Sequence, residues 1–382
     1  MAPKFDRKLS DSQGEVKDLD DPSETTPVPK EKKGGRITTP AKRPAKKRIK
    51  KDAEEEQPDV PSEKPKRAKK VREGPYTIFK EQGSIPEPQM QRRAAGAADL
   101  PGGKSGFNVL AWNVGSLRAF LRTRVADLQE AVKQGAPHVL GIIEHKLQEG
   151  TADTEGALGE LSKALPDYRL ACVNYSTVKK GYSGTLVMLH KEVPEPMSVA
   201  AEDLPSAAAE GRLVVCEFNS LFVVLCYVPN SGDGLKRLSE RIEKWDPQLR
   251  ERLRDLAQKK SVVLMGDLNV AHQDKDIWNV EAPHVPKSAG LTPEERESFS
   301  KLLESGFKDG FALHHPEALG AFTYWSIRAG NRKTNRGLRL DYVLVSDGMA
   351  GEREDGPMLW DVFHLPSVAT GDHCPVGAVI AV

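Results

Sequence analysis

From residue 107 onward the apolar positions fall into short blocks whose spacing names their elements. "FNVLAWN" (Phe107 to Asn113) is an almost continuous apolar run of strand length. In "SLRAFLRTRVADLQEAVKQG", Leu117, Phe120, Leu121, Val125, Leu128 and Val132 share one face. With Ser116 as N-cap and Gly135 as the stop, this segment predicts a single helix. "HVLGIIE" (His138 to Glu144) reads as a buried strand, and "YRLACVNY", "SGTLVMLH", "RLVVCEFN" and "LFVVLCYVP" follow as four more. "GLKRLSERIEKWDPQLRERLRDLAQKK" predicts a long helix broken at Pro247. "SVVLMGDLN" and "LRLDYVLVS" are strands on either side of a capped helix, "TPEERESFSKLLESG". "GPMLWDVFHL" and "CPVGAVIAV" complete the set. Strands adjoin strands too often for a strict strand–helix repeat. The pattern therefore fits an α/β fold of two mixed sheets packed face to face, with helices outside.

Before residue 105 the pattern disappears. The chain carries 56 Lys and Arg against 55 Asp and Glu, a net charge of +1, but the N-terminal hundred residues hold most of the uneven charge and few large apolar residues. Such a composition cannot bury enough surface to offset the entropy of ordering. Residues 1–104 are therefore expected to be a disordered, Lys/Arg-rich tail and linker, dispensable for folding, and residues 105–382 one catalytic-size domain. The tail's basic blocks, "KRPAKKRIKK" (Lys42 to Lys51) and "KPKRAKKVR" (Lys64 to Arg72), suit nuclear import or nucleic-acid contact, or else form a solvated charged face. No apolar run has the length of a secretory core or a membrane span, so no membrane partner is expected. Cys172, Cys216, Cys226 and Cys374 show no CxxC spacing and read as reduced, mostly buried thiols.

The chemistry sits at the strand ends. The apolar runs finish in Asn113, in Glu144, in Tyr227 and Asn230, in Asp267 and Asn269, in Asp341, and in Asp372 with His373. Any one of these is ordinary as a turn former. Six strands ending so imply one shared rim lined by carboxylates, amides and a histidine. Oxygen donors without a cysteine cluster suit a hard cation such as Mg²⁺ or Mn²⁺. A histidine among acids suits proton transfer or stabilisation of phosphoryl charge. Together these are the parts of metal-dependent phosphodiester hydrolysis.

Beyond this chemistry, "VLMGDLNVAHQDKDIWN", "YVPNSGDGLKRLSERIEKWD", "AGLTPEERESF", "GYSGT", "RLDYVLVS" and "GDHCPVG" resemble, in order and spacing, the exonuclease III family of class II apurinic/apyrimidinic (AP) endonucleases. The resemblance covers essentially residues 108–382. It implies a four-layer α/β sandwich, Mg²⁺ as cofactor with Mn²⁺ able to substitute, and cleavage of duplex DNA on the 5′ side of an abasic site, with accessory 3′-exonuclease or 3′-phosphodiesterase activity. It implies Glu144 as the main metal ligand, with Asn113, Asp267, Asn269, Asp372 and His373 in or around the metal shell. Asp267 would activate water, Asn269 position it, His373 face the phosphate under the hold of Asp341, and Tyr227 contact the phosphate and leaving group. Arg118, Lys146, Tyr182, Asn230, Tyr324 and Leu340 would line the DNA. The implied enzyme is a monomer whose basic tail is expected to add DNA affinity, contacts to other base-excision-repair proteins and a nuclear address, with an organellar copy left open.

The chain departs from that pattern at Gly115, where an acid or amide supporting the metal is expected. It departs again at Leu338 and Tyr324, in place of Trp and Phe around the abasic sugar, and at Asp233, in place of a basic or amide side chain. Two other readings stay open: a relative acting on RNA or a small phosphoester, and a DNA-binding protein with impaired catalysis.

Overall fold

A computed structural model describes Phe79 and residues 84–88, 90–94, 99–351, 353–368 and 370–382. The two basic blocks of the tail lie outside these residues. Twelve strands form two six-stranded sheets. The first sheet contains β1 (Gly106–Asn113), β2 (Val139–Ile143), β3 (Tyr168–Asn174), β4 (Thr185–His190), β11 (Met358–His364) and β12 (Val376–Ala381), in the order β11-β12-β1-β2-β4-β3. The second contains β5 (Ser198–Glu202), β6 (Leu213–Glu217), β7 (Leu221–Tyr227), β8 (Ser261–Asp267), β9 (Phe307–Asp309) and β10 (Asp341–Ser346), in the order β5-β6-β7-β8-β10-β9. Each sheet has one parallel pair at its centre, β1 with β2 and β7 with β8, and antiparallel strands around it.

Period-two alternation builds the layers. Val109 and Ala111 of β1 point into the space between the sheets, where they meet Val223 and Leu225 of β7 and Val263 and Met265 of β8. Leu110 and Trp112 point the other way, onto the helices α1 (Leu117–Thr123), α2 (Val125–Gly135) and α3 (Ala152–Ala164). On the far side, Phe222, Val224, Val262 and Leu264 carry Leu249, Leu253 and Leu256 of α5 (Asp246–Ala257) and Phe299 and Leu302 of α6 (Pro293–Glu304). The result is the four-layer sandwich that the family resemblance implied. Gly141 packs directly on the second sheet, where a Cβ would run into the Leu225 side chain.

Three local expectations change. The segment 116–135 is two helices, interrupted at Arg124 (φ −134°, ψ 24°). There the guanidinium lies over the Phe120 ring at 4.7 Å and against Gly371, leaving no room for a Cβ at that glycine. Ser116 does not cap with its side chain, and the first helical N–H, that of Leu117, donates instead to the His145 carbonyl (3.1 Å). Pro247 does not break its helix. The turn α4 (Leu238–Glu240) runs through a π turn, Arg241–Trp245, straight into α5, where Pro247 occupies the first turn. The wider turn accommodates the missing proline N–H, which a regular helix interior would not.

The packed unit also reaches further toward the N-terminus than residue 105. Phe79 and Ile85 are buried in the core outside the first sheet, and the Ile85 N–H donates to the Thr334 carbonyl (2.9 Å). The Arg92 guanidinium pairs with the buried Asp361 (2.8 Å) and covers the Phe363 ring. Among the described residues all four cysteines are free, three of them buried, and no helix is long and apolar enough to cross a membrane.

Candidate active site

The registers of the second sheet set three polar residues side by side. Asp267, last in β8, pairs with Tyr227, last in β7, and with Asp341, first in β10. In the first sheet, the parallel strands β1 and β2 deliver Asn113 and Glu144 to the matching rim. The segment entering β12 from the same side carries His373. The sheets meet here: Asn113 Nδ2 donates to Asp267 Oδ2 (2.9 Å).

From that link a hydrogen-bonded chain extends in both directions. The Asn269 N–H donates to Asp267 Oδ1 (2.9 Å), and its side-chain amide donates to the Val228 carbonyl (2.9 Å) while accepting from Asn230 Nδ2 (2.8 Å). On the other side His373 Nδ1 bonds Asp341 Oδ2 at 2.8 Å, and its Nε2 lies 3.9 Å from Asp267, too far for a hydrogen bond. Thr323 Oγ1 accepts the N–H groups of both Leu340 (2.9 Å) and Asp341 (3.0 Å), which fixes that strand start. Burial alone would lower the pKa of His373, but Asp341 beside it, with Asp267 and Asp372, lifts it to about 10. His373 is therefore an imidazolium at neutral pH, Nδ1–H held by Asp341 and Nε2–H free to donate. Asp267 is raised as well, to about 7, by burial first and then by the Asp341 charge. Burial and the charges of Glu144 and Asp267 push the Tyr227 phenol well up, so it remains a proton donor.

Ligand atoms of Asp267, Asp341 and His373 lie within 4.8 Å of one another, a group that could hold a cation. Asp341, expected only as the partner of His373, is part of it. Asp372 acts on His373 by its charge, and Glu144 acts together with Asp267 on Tyr227. Glu144 pairs with Lys146 (2.9 Å), and Asp372 Oδ1 is the nearest atom to Gly115, 4.0 Å from where its Cβ would stand. Glu144, Lys146 and Asn269 all adopt left-handed backbone, φ 59°, 55° and 48°. Each such residue costs about 1–3 kcal/mol and persists only where its surroundings impose it.

The expected DNA-lining residues divide. Tyr324 is half-buried, with its ring 5.0 Å from the His373 imidazole, and Asn230 is exposed. Arg118 is exposed and paired with Asp153 (2.9 Å). The Tyr182 hydroxyl accepts from Arg212 (2.6 Å) and Arg237 (2.7 Å) and donates to Glu210 (3.1 Å). Leu340 belongs to the core: it is buried with Ala271, Ile277, Val285 and Leu291. Tyr324 and Leu338 pack against the same cluster. Leu338 is the half-buried residue of the segment, bridged by backbone to Tyr324 and Ile277.

The sequence reading passed over Arg212, whose guanidinium sits 4.8 Å over the Tyr227 ring and donates to the Tyr227 carbonyl (2.9 Å). A lone arginine opening the apolar run "RLVVCEF" was its visible signal. It also passed over Arg241, which donates to the carbonyls of Leu268 (2.8 Å) and Asn269 (2.7 Å) and pairs with the buried Glu295 (3.0 Å) behind the Asn269 turn.

A buried carboxylate near neutrality, a fixed imidazolium and a phenol where two sheets meet define a hydrolytic enzyme built for a negatively charged, phosphoryl-like centre. The chain belongs to the endonuclease/exonuclease/phosphatase family, whose model matches residues 110–373. It is 37% identical over 275 residues to an exodeoxyribonuclease of Bacillus subtilis, a match covering 72% of this chain and 99% of that protein. It is 36% identical over 282 residues to the DNA repair nuclease APEX1 of Danio rerio, covering 74% of this chain and 84% of the relative. A similar solved structure is the AP endonuclease LMAP of Leishmania major, with 27% identity, a TM-score of 0.65, and coverage of 82% and 97% of the two chains. With this family and these relatives, the chain is a nuclease of the DNA-repair type.

Proposed function

We propose that this enzyme hydrolyses the backbone of duplex DNA immediately 5′ to an abasic site, leaving a 3′-hydroxyl and a 5′-deoxyribose phosphate, and trims blocked 3′ ends as a lesser activity. The carrying observation is the geometry that sets the buried Asp267 beside His373, whose Nδ1 is held by Asp341 at 2.8 Å and whose Nε2 lies 3.9 Å from Asp267. A buried carboxylate beside an oriented imidazole divides the work of base and electrophile. Asp267, a carboxylate near neutrality, accepts a proton from the attacking water, and Asn269 orients it. The free Nε2–H of His373 donates to the scissile phosphate as charge builds on its oxygens. Tyr227 and Asn230, on the same rim, donate toward the phosphate and the departing oxygen, and Arg212 holds Tyr227 from behind.

The donor set is all carboxylate, amide and imidazole, which fits a hard divalent cation, and Mg²⁺ is the proposed one. Glu144 would be its principal ligand, with Asp267, Asp372 and the amide of Asn113 nearby. When bound, it would supply charge neutralisation for the phosphate. The basic blocks before residue 79 would add salt-sensitive DNA affinity and a nuclear address, and serve contacts with other repair proteins. The enzyme is proposed to act as a monomer.

The test is incision of a duplex carrying one tetrahydrofuran abasic analogue. Wild-type protein with Mg²⁺ should cut it 5′ to the lesion and spare the intact duplex. Asp267→Asn should abolish the cut while retaining binding, and His373→Ala should slow it by about 10²–10³-fold, the usual loss for one such donor. Failure of wild type to cut at millimolar Mg²⁺ or Mn²⁺ would refute the reading.

A further inference from the structure

The turn after β2 is held by a residue to which neither chemistry nor resemblance assigned a role. His145 lies between two left-handed residues, Glu144 and Lys146, and is fully buried. Its Nδ1 accepts the N–H of Leu147 (2.9 Å), and its Nε2 lies 3.1 Å from the Asn174 carbonyl. An amide can only donate and a carbonyl only accept, so the geometry defines a neutral ring protonated at Nε2. Backbone bonds complete the grip. The His145 N–H donates to the Gly184 carbonyl (3.2 Å), the Lys146 N–H to that of Ser183 (2.9 Å), and the His145 carbonyl accepts from Leu117 (3.1 Å). The Tyr175 ring packs edge-on at 5.6 Å, and the imidazole lies so close to Gly184 that a Cβ there would stand 2.5 Å from Nε2. The ring thus locks the β2 turn to the Gly181–Thr185 loop, which carries Tyr182.

We propose that His145 is a positioning residue that imposes the left-handed turn presenting Glu144 and Lys146, and so sets the affinity of the site for its divalent cation. The inference rests on the reading of Glu144 as the cation's ligand. Neither Glu144 nor Lys146 would keep its strained backbone without a fixed anchor between them. Groups that orient a metal's ligands typically govern affinity by about ten- to a hundredfold.

The full-length His145→Ala, His145→Asn and Glu144→Gln chains are compared with wild type by Mn²⁺ titration in electron paramagnetic resonance and by the Mg²⁺ dependence of abasic-site incision. His145→Ala should bind Mn²⁺ about ten- to a hundredfold more weakly and need correspondingly more Mg²⁺, recovering most of its rate at saturation. His145→Asn, whose Oδ1 can accept the Leu147 N–H in an Asx turn, should regain most of the affinity. A folded His145→Ala chain with wild-type Mn²⁺ affinity, alongside a weakened Glu144→Gln, overturns the role of His145 alone. Wild-type affinity in Glu144→Gln overturns the ligand reading and this inference with it. Should His145→Ala fail to fold, imidazole ¹⁵N resonances of the wild type decide. They should report an Nε2–H tautomer and shift with Mg²⁺ at the half-saturation seen in incision. Signals indifferent to Mg²⁺ overturn the proposal.

Discussion

At the scale of single residues, Gly115 is the position where a small change should speak most directly about the cation. It follows Asn113 by two residues, adopts φ +66°, and donates its N–H to Asn113 Oδ1 (2.9 Å). A Cβ there meets open space, with Asp372 Oδ1 its nearest neighbour at 4.0 Å. A carboxylate at 115 would therefore point into the acidic rim and offer an oxygen that the glycine lacks. Against this stands left-handed strain of about 1–2 kcal/mol, which Asp and Asn tolerate better than other side chains. The two effects separate experimentally. Gly115→Asp should lower the Mg²⁺ concentration for half-maximal incision while lowering the metal-free Tm by a few degrees. Gly115→Asn carries the same strain without the charge and should gain less. An unchanged Mg²⁺ requirement in Gly115→Asp would mean that the cation's shell is already complete without this position.

At the scale of elements, strand identity and the polar residue ending each strand were legible because both are local. A short, continuous apolar run buried on both faces marks the strand, and a polar side chain closes it. The helix break at Arg124 was not legible, since it depends on a guanidinium lying against Gly371, far along the chain. Arg212, Arg241 and His145 escaped for a related reason: each acts on a residue distant in sequence or through a ring buried by another loop. The N-terminal segment escaped because its composition is that of a tail, while a few apolar and cationic contacts fasten it. Ile85 is 4% exposed, the Phe79 ring stands 6.4 Å from that of Phe322, and Arg92 neutralises Asp361, which is 1% exposed. Phe322 precedes Tyr324 by two residues, so the segment braces the loop beside His373. Deleting residues 1–78 should leave Tm and incision at low salt near those of the folded domain, apart from weaker DNA affinity. Deleting residues 1–98 removes the Ile85 and Phe79 burial, about 1.5–3 kcal/mol per side chain at most. It also strands the Asp361 carboxylate, for about 1–3 kcal/mol more. The longer deletion should lower Tm by several degrees and weaken abasic-site incision. Thermal melts of the two truncations decide, and equal Tm values would show that the strap contributes nothing.

At the scale of the whole molecule, the histidines make stability depend on pH in two opposed ways. His138, His145, His272, His314 and His364 all have lowered pKa values, with burial the largest cause in each. His145 falls to about 4, and His364, stacked on Phe311 at 4.0 Å with Arg339 and His315 also disfavouring its proton, falls well below the usual value. Unfolded, these rings bind protons near pH 6.5, and folded they do so only at lower pH. The unfolded chain therefore carries more protons over that interval. Stability is fully present above about 6.5 and drains away as pH falls toward the folded pKa values. His373 has the opposite sign. Its folded pKa of about 10 lies above the unfolded one, so its contribution is present below about 6.5 and lost as pH rises through 10. His373 is protonated in both states below about 6.5, so the five depressed rings should make Tm fall clearly between pH 7 and pH 5. The raised Asp267, which takes up its proton over the same interval, opposes part of that loss. Replacing His364 by phenylalanine keeps the stacked ring and removes one titration far from the strand-end site. The variant should match wild type at pH 7.5 within a degree or two and melt higher at pH 5. A wild-type slope retained in His364→Phe would mean that this ring already accepts its proton in the folded state. The acid loss would then fall to the other buried rings, His145 first among them.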